Sequence, residues 1–230
     1  MNATYLPSLE QQLAGLSKRE EKDVIDDFQR IVGTIILLEA PLTVSALSKL
    51  INVPQRTIYH RLEVLRSVLY YPETAVSPIR LFHLSFRDFL LDPEKEGINR
   101  FWVDEKQNHG RIAAGCLLIL KSSLKEDICG FVAPGIARSE VTASRVSSCI
   151  SLDLEYACRY WVNHLTKAPE LTINAEEILA FLEHHILHLL ECLSLIDRLS
   201  EIYAMIQGLQ AIERVIIMTS TARISQLTAV

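Results

Sequence analysis

Thr43-Val-Ser-Ala-Leu-Ser-Lys-Leu-Ile-Asn-Val-Pro-Gln-Arg-Thr-Ile-Tyr-His-Arg-Leu62 is the stretch on which the fold turns. Thr43 is suited to cap a short helix, Val44–Ile51, whose apolar residues are Val44, Leu47, Leu50 and Ile51. Asn52-Val-Pro54 reads as a tight turn with proline at the first helical position, where a missing N–H costs least. A longer helix follows from Gln55 to Val68, with Ile58, Leu62, Leu65 and Leu69 on one face. Two short helices joined by such a turn predict a helix-turn-helix.

Upstream, Val24, Ile25, Phe28, Ile31, Val32, Ile35 and Ile36 recur at three- and four-residue intervals, the period of a half-buried helix. Pro41 ends that helix. Before it, Leu9, Leu13 and Leu16 form a shorter stripe, followed by the charged cluster Lys18 to Asp23. Downstream, Val68–Tyr71 and Ile79–Leu84 are strand-like and flank a turn at Pro72–Pro78, so a β-hairpin wing is expected. Ser85 is expected to cap a helix over Phe86–Leu91, stopped by Asp92-Pro93.

Beyond Pro93 the pattern is helical again. Val103–Leu120 is amphipathic, Ser139–Ser151 reads as a Ser/Thr-rich loop, and Leu154–Leu165 is an aromatic helix carrying Tyr156, Tyr160 and Trp161. Ala175–Asp197 and Leu199–Glu213 complete the helices. The expected fold is mainly α: a winged-helix module with a small β-wing, then a superhelical-type α-helical domain. The expected boundaries are a lead-in helix at 1–21, the winged helix at 22–92, the helical domain at 93–213, and a divergent or disordered tail at 214–230.

Composition narrows the function classes. Apolar residues make up 49% of 230 and charged residues 22%, with eight glycines and eight prolines, which excludes a disordered or collagen-like chain. The net charge of −5 argues against a dedicated nucleic-acid binder. No uninterrupted apolar run approaches the roughly 18 residues of a membrane span. The N-terminus lacks a secretory pattern. A cytoplasmic protein is therefore expected. The five cysteines, at 116, 129, 149, 158 and 192, are widely spaced without a C-x-x-C, and read as buried thiols rather than metal or redox groups.

Three motifs in the sequence bear on its chemistry. Gly110 to Gly115 and Gly130 to Gly135 have the glycine spacing of a phosphate loop, but Cys116-Leu117 and Ile136-Ala137 stand where Lys and Ser/Thr are required. His184 and His188 share a helix face, yet His185 occupies the place of the glutamate that a zinc protease needs. The chain is thus expected to be no enzyme and to hold no metal. The second helix of the helix-turn-helix offers Gln55, Arg56, Thr57, His60, Arg61 and Arg66 as DNA contacts, which keeps a winged-helix DNA binder open as an alternative. A plain helical interaction scaffold is the other.

The most specific stretch is Arg80-Leu-Phe-His-Leu-Ser-Phe-Arg-Asp-Phe-Leu-Leu-Asp-Pro93. With Asp27-Phe-Gln-Arg-Ile-Val-Gly-Thr-Ile35, Ala40-Pro-Leu-Thr-Val-Ser-Ala-Leu47, Phe101-Trp-Val-Asp-Glu-Lys106 and Tyr156-Ala-Cys-Arg-Tyr-Trp-Val162, it resembles the region following the nucleotide-binding domain of fungal NACHT-type, Nod-like STAND proteins. These are the large receptors of heterokaryon incompatibility and innate recognition. The resemblance runs from about residue 5 to about 213. It implies that His83, where the wing gives way to the next helix, reaches the β-phosphate of ADP and latches the receptor closed. The residues alone leave open a helix-entry histidine bonded to backbone. The resemblance further implies a regulatory and relay segment, a truncated or fragmentary member without cofactor of its own. Its ADP or ATP would sit on an NTPase domain, and its partners would be proteins: that domain or a repeat-containing chain.

Overall fold

A computed structural model of the chain describes residues 2–70, 77–131, 140–169 and 173–213. The expected tail at 214–230 and most of the turn at Pro72–Pro78 lie outside the described residues. The protein is mainly helical and divides into two compact units, Met1–Ile112 and Ala113–Val230.

The first unit is built around α2, Lys18–Leu37, which follows α1, Asn2–Gln11. Ser17 and Glu20 form a reciprocal capping box at the start of α2, each side chain accepting the other's backbone N–H. The sequence period is realised: Phe28, Ile31 and Val32 are buried against α3, Val44–Ile51, and α4, Gln55–Glu63. Thr43 caps α3 as expected, its hydroxyl accepting from the Ala46 N–H at 3.2 Å. Asn52 closes α3 in the left-handed region, at φ 49°. Pro54 stands one position earlier than expected. It is the extended residue before α4, and its carbonyl accepts from Thr57 and Ile58.

Helix α4 stops at Glu63, five residues short of the expected end. The backbone beyond is needed elsewhere. The Phe82 N–H donates to the Val68 carbonyl at 3.0 Å, and β1, Leu69–Tyr70, pairs antiparallel with β2, Arg80–Leu81, so the chain leaves the helix here, although the Leu69 N–H still reaches back to the Leu65 carbonyl at 2.9 Å. The two strands are far shorter than their sequence runs. Helix α5, Leu84–Leu91, begins two residues before the expected Phe86, and its N-cap is His83 rather than Ser85. The Ser85 hydroxyl instead bonds the Tyr5 phenol of α1 at 2.9 Å. Tyr5 also lies edge-on to Phe86, with ring centres 5.1 Å apart, which docks α1 onto α5. Arg87 of α5 donates to the Ile36 carbonyl at 3.1 Å, satisfying an end group of α2.

α6, Glu105–Ser123, contributes residues to both units. In the second unit, α7 is Ala143–Cys149, α8 Leu152–Lys167, α9 Ala175–Leu195, and α10 spans 202–213. The Ser/Thr-rich stretch expected as a loop therefore contains a helix. Thr142 caps it by accepting from the Arg145 N–H at 3.3 Å, and Ser147 and Ser148 turn their hydroxyls back onto the Ser144 and Arg145 carbonyls. Trp161 of α8 is fully buried and meets Phe181 of α9 edge-on at 5.4 Å. Helix α10 comes so close to α8 that a Cβ on Gly208 would lie 2.7 Å from Val162 Cγ1.

Helix α9 departs from the expectation drawn from uninterrupted runs. By length and composition alone it is long and apolar enough to cross a bilayer, and only 28% of its most apolar window is buried. Glu183 and Glu191 break the run without lowering its mean hydropathy far.

Candidate functional site

His83 occupies the junction that the sequence singled out. The antiparallel pair holds Arg80 opposite Tyr70, the Phe82 amide is fixed to Val68, and His83 follows in extended backbone with φ −129° and ψ 117°. Its carbonyl accepts from the Phe86 N–H at 3.1 Å, which starts α5. The side chain makes no capping hydrogen bond to the helix and the residue is exposed. The imidazole thus stands in solvent beside the first turn of an α-helix, where backbone N–H groups and the helix dipole favour an anion.

Large apolar side chains border it. Phe82 is 55% exposed, Leu84 76% and Tyr70 46%, and the Tyr70 and Phe82 rings are edge-on at 6.1 Å. An open groove of about 580 Å³ runs alongside, lined in part by Ile35, Pro41, Leu84, Arg80 and Arg87, though not by His83 itself. Arg80 is exposed, whereas Arg87 is partly neutralised by Glu105 at 3.5 Å. The arrangement presents donors and positive charge within a greasy rim.

The exposed apolar rim is what sequence reading missed. Its signal was present in the alternation Ile79, Arg80, Leu81, Phe82: Ile79 is buried, so Phe82, three positions on, turns outward.

The other candidates sort differently. On α4, Gln55, Arg56 and His60 are exposed, but Arg61 is turned inward to Asp27, both Nε and Nη2 donating to one carboxylate oxygen at 3.1 and 2.8 Å. Gly110 to Gly115 lies inside α6 with both glycines buried, so this stretch is no loop. Part of the second glycine pair's stretch lies outside the described residues. On α9, His184 Nδ1 sits 3.0 Å from the Ala180 carbonyl, and His185 stacks on Phe181 at 5.4 Å and approaches His188. Burial, then the neighbouring His188, His184 and Lys121, hold the His185 pKa below the usual imidazole value. Among the described residues no three metal-binding side chains converge.

No family model, curated protein or solved structure matches this chain.

The groups around His83 therefore speak through their chemistry alone. An imidazole, a helix start and an exposed arginine can receive a phosphate oxygen, and the surrounding Phe82 and Leu84 can receive a protein surface.

Proposed function

We propose that the chain is the regulatory and relay segment of a NACHT-type STAND signalling ATPase, non-catalytic by itself. In this reading residues 22–92 form a winged helix, with α3 and α4 as its helix-turn-helix and β1–β2 as its wing. Residues 93–213 form the helical relay domain. ADP or ATP is held by an NTPase domain, and His83 touches its phosphate only when that domain is docked. The compartment that goes with this role is the cytoplasm.

The observation that carries the reading is the solvent-facing imidazole at the N-cap of α5, with no capping bond and a rim of exposed Phe82 and Leu84. A buried or internally bonded ring could not reach a nucleotide on another domain. A contact made in the docked, ADP-bound state and lost in the open state supplies the differential free energy that a switch requires. The commitment of Arg61 to Asp27 weakens the DNA alternative, because it withdraws one of the cations that would meet a phosphate backbone.

The test uses the full chain and a purified NACHT-type nucleotide-binding domain loaded with ADP or with a non-hydrolysable ATP analogue. Preferential capture of the ADP-loaded form is expected, with His83→Ala weakening it about tenfold, the scale of one charge-assisted hydrogen bond. The chain alone should hydrolyse no ATP. Equal binding of both nucleotide states by wild type and His83→Ala, or enzyme-like turnover by the chain alone, overturns the proposal.

A further inference from the structure

All five cysteines fall in the second unit or at its edge in α6, and they are neighbours. Cys116 and Cys158 feel one another's charge, as do Cys158 and Cys192, Cys192 and Cys129, and Cys129 and Cys149, so each thiol has another in its surroundings. Four are buried; Cys149 alone is half-exposed. The series therefore has one end that solvent can reach.

The accessible end is built by α7. Arg145 and Cys149 are four residues apart and share one face of that helix. The Arg145 guanidinium clasps the Cys129 carbonyl through Nε, at 3.0 Å, and Nη2, so this face of α7 is fastened to the segment carrying Cys129. That segment is itself held. The Glu191 carboxylate accepts from the Asp127 and Ile128 N–H groups at 3.2 and 3.0 Å, and the Asp127 side chain accepts from Phe131. The segment carrying Cys129 is thus fastened, by an arginine clasp and a carboxylate anchor, to the helix face that carries Cys149.

We propose that Cys149 and Cys129 form a peroxide-responsive dithiol–disulfide pair, Cys149 being oxidised first and Cys129 resolving it. In the first step the Cys149 thiolate attacks one oxygen of hydrogen peroxide. A sulfur–oxygen bond forms, the O–O bond breaks, and the leaving hydroxide takes up a proton as water, giving a sulfenic acid. In the second step Cys129 sulfur attacks the Cys149 sulfur. The S–S bond forms, the S–O bond breaks, and the sulfenic oxygen leaves as water with the Cys129 proton. Two thiols and one peroxide become one disulfide and two waters.

The order of attack follows first from exposure, since solvent reaches half-exposed Cys149 and not buried Cys129, and the surroundings act in the same direction. The Ser148 hydroxyl, 3.6 Å from Cys149 sulfur, holds the Cys149 pKa below the ordinary thiol value, assisted by the Cys129 thiol and the charges of Arg145 and Lys125, against an opposing burial effect. Burial pushes Cys129 the other way, to about 12. The thiolate is the nucleophile, so Cys149 reacts and Cys129 waits.

The experiment treats reduced full-length protein with one equivalent of hydrogen peroxide. Non-reducing peptide mapping follows, with trypsin and a glutamate-specific protease, which together separate Cys149 from Cys158 at Glu155. The expected product is a Cys129–Cys149 disulfide that dithiothreitol reverses. In the native, untreated protein, iodoacetamide should label Cys149 at least about tenfold faster than Cys116, Cys158 or Cys192. Cys129→Ala should stop the reaction at a dimedone-trappable sulfenic acid on Cys149, and Cys149→Ala should abolish both products. Oxidation first at another cysteine, a different linkage, or labelling of Cys149 no faster than that of the buried thiols overturns the proposal, and those wild-type readouts stand even if a variant fails to fold.

Discussion

Single residues carry two opposite lessons in this protein. Arg61 reads in the sequence as a DNA contact and in the structure belongs to Asp27, because a cation that finds a carboxylate within its own fold gives up hydration once rather than waiting for a partner. The family resemblance implies a sensing role for His83, and its ring stays exposed because the first turn of α5 is started by its carbonyl rather than by its ring. Gly208 carries no signal in sequence at all, yet it sets how closely α10 approaches α8. A side chain there meets Val162, which is buried and stiff at χ1, and Thr166 Cγ2 at 3.3 Å. Gly208→Val should therefore destabilise the second unit by about 1–3 kcal/mol, the range of overpacking. Gly208→Ala should cost less, since helix propensity returns up to about 1 kcal/mol. Urea denaturation of the two variants beside wild type checks the order, and a Gly208→Val as stable as wild type would show that the two helices are not in tight contact.

At the scale of elements, legibility followed the number of independent signals. Helix α3 was readable to the residue because Thr43, an apolar period and Asn52 agree on its start, face and end. Helix α2 was readable through its period and Pro41, although its capping box at Ser17 and Glu20 was overlooked within a charged cluster. The ends of α4 and α5 were misplaced because they are set by partners distant in sequence: Val68 is claimed by Phe82, and the Ser85 hydroxyl by Tyr5. No local pattern contains that information. Helix α7 was missed for another reason, since serine and threonine favour turns and caps alike and the sequence does not say which. The cap can be tested directly. Thr142→Ala removes the acceptor for the Arg145 N–H and should cost about 1 kcal/mol. In a seven-residue helix with no fully buried side chain, that loss should appear locally. Hydrogen exchange over 143–149 should speed up by about fivefold while α8 amides keep their protection. Uniform acceleration across the unit would mean that α7 does not open on its own.

For the whole molecule, the question is how a chain with a net charge of −5 and no cluster of metal ligands among its described residues would act on anything. Overall charge disfavours steering to nucleic acid. What the first unit offers instead is a division between interior and rim within one short segment. Phe86 and Leu90 are buried to 1% and 0%, while Phe82 and Leu84, a few residues before them, are more than half exposed. The sequence shows a single apolar-rich run there. Only the turn from strand pairing to helix at His83 separates its residues into a packed set and a presented set. The two sets should respond differently to substitution. Phe86→Ala leaves a cavity beneath α5 and should cost about 3–5 kcal/mol, enough to unfold much of the unit by circular dichroism. The double change Phe82→Ser with Leu84→Ser should shift stability by no more than about 0.5 kcal/mol per site, since neither side chain fills the core. If the rim is where an ADP-loaded NTPase domain sits, the same double change should weaken its capture about tenfold or more, as truncated anchors at interface centres do. Retained capture with unchanged stability would move the docking surface away from α5, and a large loss of stability would show that Phe82 and Leu84 hold the fold together rather than a partner.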